Sequence, residues 1–164
     1  MSNASEILAT AQRVLRIESE AIAAAIDRLD QRFAEAVELI LACQGRVIVA
    51  GMGKSGLVAR KVSATFASLG TPSAFVHPAD AMHGDLGMIR PQDLVLLLSF
   101  SGETEELFIL LHFLERQGNK SILITGALDS TLARRCTLTL DGSVKQIIMI
   151  SHRELENIQN VIEV

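Results

Sequence analysis

The run Asp93-Leu94-Val95-Leu96-Leu97-Leu98-Ser99 constrains the fold more than any other stretch of the chain. A strand with one wet face alternates apolar and polar residues. An unbroken apolar run is what a strand buried on both faces requires, and such strands occur in parallel sheets covered by helices on each side. Four more β-rich runs accompany it, at 46–50 (RVIVA), 73–76 (SAFV), 120–125 (KSILIT) and 138–140 (LTL). Helical periodicity fills the gaps at 55–70, 103–118 and 129–136, the last capped by Asp129 or Ser130. This alternation predicts βαβ units: an α/β fold, with a parallel sheet sandwiched between two helix layers. A helical extension precedes it over 5–43. Ile7, Leu8, Ala11, Val14, Leu15, Ile22, Ile26 and Leu29 follow a 3–4 spacing. A second helix starts near Asp30, carries Phe33, Val37, Ile40 and Leu41, and stops at Gly45.

The 164 residues suffice for one domain. There is no Trp and no Tyr, so aliphatic side chains and Ala must fill the core. A net charge of −4 makes no electrostatic case for nucleic acid. The N-terminus mixes charges early, unlike a signal peptide, and no run approaches the ~20 apolar residues of a membrane span. A soluble, cytoplasmic protein without membrane or nucleic-acid partners is expected. Cys43 and Cys136 lack metal-type spacing and read as reduced thiols.

In such sheets, ligands sit beyond the carboxyl ends of the strands. The loops to inspect are therefore 51–56, 77–85, 99–104 and 126–130. The first contains Gly53-Lys54-Ser55, which suggests an ATP loop. That motif needs a glycine at position 48, and the chain has Ile48 inside a strand. Gly51, Gly53 and Gly56 also spell a dinucleotide fingerprint. Its acidic partner should end the second strand, where the chain has His77 and Pro78. What survives is a glycine loop at a helix start, offering N–H groups, the Lys54 cation and the Ser55 hydroxyl to an anion. A tight turn with a surface lysine is the plainer alternative. The second loop, Ser99 to Leu107, sets Ser99, Ser101 and Thr104 around Gly102 at another helix start. An ordinary cap accounts for one hydroxyl, not three. Glu103, Glu105 and Glu106 disfavour a polyphosphate. They suit a single phosphate with a carboxylate left for proton chemistry.

Together, G-M-G-K-S-G and S-F-S-G-E-T resemble the sugar isomerase (SIS) domain. The run from Gly51 to Leu107, including "ATFASLGTPSAFVHPADAMHGDLGMI", is similar to the arabinose-5-phosphate isomerases, and the likeness extends from about Ala11 to Gln146. The resemblance implies a five-stranded parallel sheet of flavodoxin-like type and a homotetramer with shared active sites. It implies an enzyme without a cofactor that interconverts D-ribulose 5-phosphate and D-arabinose 5-phosphate for Kdo and lipopolysaccharide synthesis. By motif, Ser55, Ser99, Ser101, Gly102 and Thr104 would hold the phosphate. Lys54, Glu106 and His83 would serve catalysis. His77 would bind substrate or an inhibitory zinc. Gly70, Thr71, Ser143, Val144 and Lys145 would line the site. The chemistry agrees: moving a proton between adjacent carbons through an enediol needs a base and a cation for the developing oxyanion.

The resemblance divides the chain into an SIS domain over 5–146 and a tail over 147–164 without family motifs. Family members continue to a second glutamate and a further histidine, and many to paired CBS domains. His152, Glu154 and Glu156 do not stand in for these. A truncated or altered C-terminus is expected, with sugar-phosphate binding kept and isomerisation impaired. Leu155, Ile158, Val161 and Ile162 are spaced for a substitute helix. The alternative function is a non-catalytic, regulatory SIS domain, although the N-terminal helices lack a basic recognition face. A nicotinamide-dependent oxidoreductase rests on the glycine fingerprint alone.

Overall fold

A computed structural model describes residues 4–145, 148–149 and 162–163. The chain forms two compact units, one of residues 29–143 and the other of 1–28 with 144–164.

The larger unit is the sheet domain. Its elements are α2 (Gln31–Leu41), β1 (Val47–Gly51), α3 (Gly53–Ser68), β2 (Ser73–Val76), α4 (Pro78–Ala81), a 3₁₀ turn (Asp85–Met88), β3 (Leu94–Leu98), α5 (Glu105–Gln117), β4 (Ser121–Thr125), α6 (Thr131–Arg135) and β5 (Leu138–Asp141). The five strands pair in parallel in the order β2-β1-β3-β4-β5. The flavodoxin-like sheet implied by the sequence is present, and so are its two helix layers.

Strand geometry builds those layers. Successive side chains point to opposite faces. Ile48, Ala50, Val95, Leu97 and Leu123 face Leu107, Leu110, Leu111 and Leu114 of α5 and Leu132 of α6. Val47, Val49, Leu94, Leu96 and Ile122 face Ala36 of α2 and Ala59 of α3. The uninterrupted apolar run of β3 serves both cores, and every β3 residue is buried. Each fully buried Leu or Ile stabilises the fold by about 1.5–3 kcal/mol.

Close packing at the start of α3 depends on a glycine. A Cβ on Gly56 would lie 2.6 Å from the Gly51 carbonyl oxygen. Any side chain there would push α3 off β1 and spoil the loop between them.

The caps decide two open points. Ser130, not Asp129, caps α6, its hydroxyl accepting from the Ala133 N–H at 3.4 Å. Asp30 caps α2 by accepting from the Arg32 N–H at 2.9 Å. The α2 helix thus belongs with the sheet, through Ala36, Leu39 and Ile40.

At the amino ends of the strands, Asp93 is a buried tie. Its Oδ1 accepts from the Arg46 N–H at 2.8 Å, and its Oδ2 from the Arg90 N–H at 2.9 Å and Arg46 Nη2 at 3.1 Å. Burial pushes its pKa up. The Arg90 and Arg46 N–H donors and the Arg46 guanidinium outweigh that and hold it below the usual carboxylate value. Burial likewise raises the Cys136 thiol, and there the Ser121 hydrogen bond and the Arg135 charge are too weak to offset it, so it is pushed up to about 11. Both cysteines are free thiols.

The smaller unit holds α1 (Ala4–Ile26) and an antiparallel pair, β6 (Ile148–Met149) with β7 (Ile162–Glu163). No residue of α1 is buried. The helix expected over the tail falls mostly outside the described residues. Its last member, Ile162, sits in β7 rather than in a helix, because it pairs with Met149.

Candidate functional site

Strand order reverses between β1 and β3, so a crevice opens beyond their carboxyl ends. A cleft of about 390 Å³ lies there, within the range of about 300–1,000 Å³ usual for small-molecule sites. Lys54, Ser55 and Val58 line it from α3, and Ser99 and Phe100 from the end of β3. Thr125, Gly126 and Gly142 come from the ends of β4 and β5.

Both helices that start at this crevice lack a side-chain cap. Met52 precedes α3 and Thr104 precedes α5, and neither side chain bonds a first-turn N–H. A helix start that no side chain caps can meet an anion. The ordinary cap does not form at the start of α5. The Thr104 hydroxyl instead meets the buried Ser99 hydroxyl at 2.8 Å, and Ser99 Oγ accepts from the Gly102 N–H at 3.1 Å. The Ser101 hydroxyl accepts from the Glu103 N–H at 3.2 Å. The three hydroxyls are thus ordered by the loop itself. Gly102 turns the chain at φ +65°, and a Cβ there would overlap the Ser130 hydroxyl.

The glycine loop and the hydroxyl loop therefore flank one crevice. A model of the SIS domain matches residues 40–157. The chain belongs to the SIS domain family. The arabinose 5-phosphate isomerase KdsD of Pseudomonas aeruginosa is 48% identical over 146 residues, covering 89% of this chain and 45% of that enzyme. KdsD of E. coli K12 is 48% identical over 129 residues, covering 79% of this chain and 39% of that enzyme. The chain spans less than half the length of each. A solved E. coli CFT073 protein in complex with arabinose 5-phosphate superimposes with a TM-score of 0.85 at 41% identity, covering 88% of this chain and 77% of that one. The family match runs past Gln146, into the tail.

The SIS fold sorts the remaining candidates by strand end. Glu106 lies in the first turn of α5, half-buried, one residue before the buried Leu107. His77 directly follows β2 at its carboxyl end. Its Nδ1 is buried without a hydrogen-bond partner, and its ring stands edge-on to Phe75 at 6.3 Å. His83 is exposed in the connection between α4 and the 3₁₀ turn. Among the described residues no group of three His, Cys, Asp or Glu could hold a metal ion.

Gly70 and Thr71 do not join the cleft within one chain. They link the end of α3 to the start of β2. The 16 residues of α3 carry the chain about 24 Å back to the amino ends of the strands. Ser143 follows the cleft residue Gly142, its N–H held by Asp141 Oδ1 at 2.8 Å. Val144 and Lys145 belong to the smaller unit, where they line a 200 Å³ pocket with Ile17, Ala21 and Arg28.

Sequence reasoning missed Thr125 and Gly142. Thr125 is 1% exposed, its hydroxyl donating to the Phe100 carbonyl at 3.1 Å and accepting from the Ala127 N–H at 3.1 Å. It ties β4 to the end of β3. The signal was positional: both residues sit at carboxyl ends of strands, and Thr125 adjoins the loop 126–130 already marked for inspection.

Proposed function

We propose that the cleft binds a pentose 5-phosphate and that the chain interconverts D-ribulose 5-phosphate and D-arabinose 5-phosphate. The observation that carries this is the ordered hydroxyl loop, Ser99, Ser101 and Thr104, at the uncapped start of α5. It sits across the β1–β3 crevice from Lys54 and Ser55. The identity of 48% to two arabinose 5-phosphate isomerases supports the same substrate class.

In this reading the hydroxyls and first-turn N–H groups hold the phosphate, with Ser55 and Gly102 completing the cradle. Lys54 stabilises the enediolate oxygen, and Glu106 moves the proton between the two carbons. His83 and His77 contact the sugar; a sugar hydroxyl would satisfy the orphaned His77 Nδ1. The activity belongs to the cytoplasm and to the supply of arabinose 5-phosphate for Kdo and lipopolysaccharide. A steady-state assay with ribulose 5-phosphate tests the proposal. Formation of arabinose 5-phosphate is expected; failure both to turn over and to bind either pentose phosphate would overturn it.

The same reading includes a homotetramer with shared sites. Leu8, Leu15, Ile22 and Ile26 form one apolar row along α1 and are 62%, 65%, 74% and 69% exposed. Such a row is stable when another surface covers it. A second copy would also give Gly70 and Thr71 a cleft to line. Sedimentation velocity is expected to show a species of four chains, and a monomer at assay concentration would overturn this part.

A further inference from the structure

We propose that Glu103 is a positioning residue for phosphate binding, acting through α6 and not by touching the ligand. The inference rests on the pentose-phosphate reading of the cleft. Glu103 is the acidic residue within the hydroxyl loop, and its role is open from sequence. Its exposed carboxylate accepts from the Thr131 N–H, 28 residues away, at 2.7 Å. Next to it, the Gly102 carbonyl accepts from the Leu132 N–H at 3.1 Å. Gly102 itself lies against Ser130 with no room for a Cβ. Two consecutive loop residues are thus docked onto three consecutive residues at the start of α6.

The docking reaches the hydroxyls directly. The Glu103 N–H donates to Ser101 Oγ, and Ser99 Oγ receives the Gly102 N–H. When the carboxylate is held, the backbone of residues 102–103 is held, and with it both serine hydroxyls. Hydrogen bonds to an ionised acceptor are roughly twice as strong as neutral ones. Leu132 anchors the other side, being fully buried in the core.

This assignment and its rival predict opposite signs. An acid that merely sits near an anion site repels the ligand, so removing it should tighten binding. A latch that orders the site should weaken binding when removed. The test is calorimetric titration of the full 164-residue chain with arabinose 5-phosphate and with inorganic phosphate. Glu103→Ala is expected to weaken both by about tenfold, the equivalent of one charged hydrogen bond. Glu103→Gln keeps an acceptor oxygen and is expected to stay within about threefold of the unsubstituted chain.

Thr131→Pro removes the donor instead. Proline suits the first position of a helix, and Ser130 before it is already extended at φ −67°, ψ 164°. It should weaken binding as Glu103→Ala does, and the double substitution should do no further harm. Because two variants attack opposite partners, misfolding of one, visible by circular dichroism, leaves the other to decide. Equal or tighter binding by the folded Glu103→Ala chain would overturn the latch alone. No binding by the unsubstituted chain would overturn the latch together with the functional reading beneath it.

Discussion

Glu106→Gln is expected to slow the isomerisation of ribulose 5-phosphate by about 100- to 10,000-fold, the usual contribution of a positioned general base. The substitution keeps the length and shape of the side chain in the first turn of α5 and removes only its capacity to accept a proton. Leu107, Leu110, Leu111 and Leu114 still seat the helix, so its start should not move. The phosphate is held by other groups, and the Kd for arabinose 5-phosphate should change by less than about threefold. Rate and affinity therefore separate. Exchange of the proton beside the carbonyl with deuterium from solvent, followed by NMR, reads the same step where net turnover is small. An exchange rate within threefold of the unsubstituted chain, by roughly the same reasoning, would remove Glu106 from proton transfer.

The second large effect is on stability. Asp93→Ala is expected to cost about 3 kcal/mol, measured by urea unfolding. Asp93 is 3% exposed and satisfies two backbone N–H groups and the Arg46 guanidinium. Removing it strands two donors and leaves a cation without its buried partner. Asp93→Asn keeps one acceptor oxygen and should cost less. The pH dependence has a definite sign. A carboxylate held below its unfolded pKa of about 3.9 stabilises the fold above that value, and this contribution is lost as pH falls through the lower folded value. Both substitutions should therefore flatten the acid side of the stability profile below about pH 4 while lowering the plateau above it. A loss under about 1 kcal/mol would show that water replaces the carboxylate at little cost.

These two residues illustrate what could be read in advance. Glu106 was visible as a candidate because the hydroxyl loop left one of Glu103, Glu105 and Glu106 for proton chemistry and the motif's family resemblance pointed to Glu106. That is local information, carried by neighbours in the chain. Asp93 was seen only as the first residue of an apolar run. Its partners are Arg46, 47 residues upstream, and Arg90, in a turn with no periodic signal. The short α4 and the 3₁₀ turn were likewise unforeseen, being too short for a 3.6-residue period to register. The ordinary cap that was the plainer alternative at this loop does not form, for a local reason: the hydroxyls of Ser99 and Thr104 bond each other, and Ser101 serves the Glu103 N–H.

Sequence by itself determined the strands, the helices between them, the family, and the two loops that face the cleft. It could do so because hydrophobic period, glycine position and loop motifs are local, and because a strand buried on both faces leaves an unmistakable apolar run. Tertiary structure alone decided which of the candidate residues gather at the cleft. It sent Gly70 and Thr71 to the far edge along the length of α3, and it placed Val144 and Lys145 in the smaller unit. It also turned Glu103 toward Thr131, a contact made only because β4 pairs beside β3 and brings the start of α6 under the hydroxyl loop. Parallel pairing joins residues far apart in the chain, and no short-range pattern encodes which of them will meet.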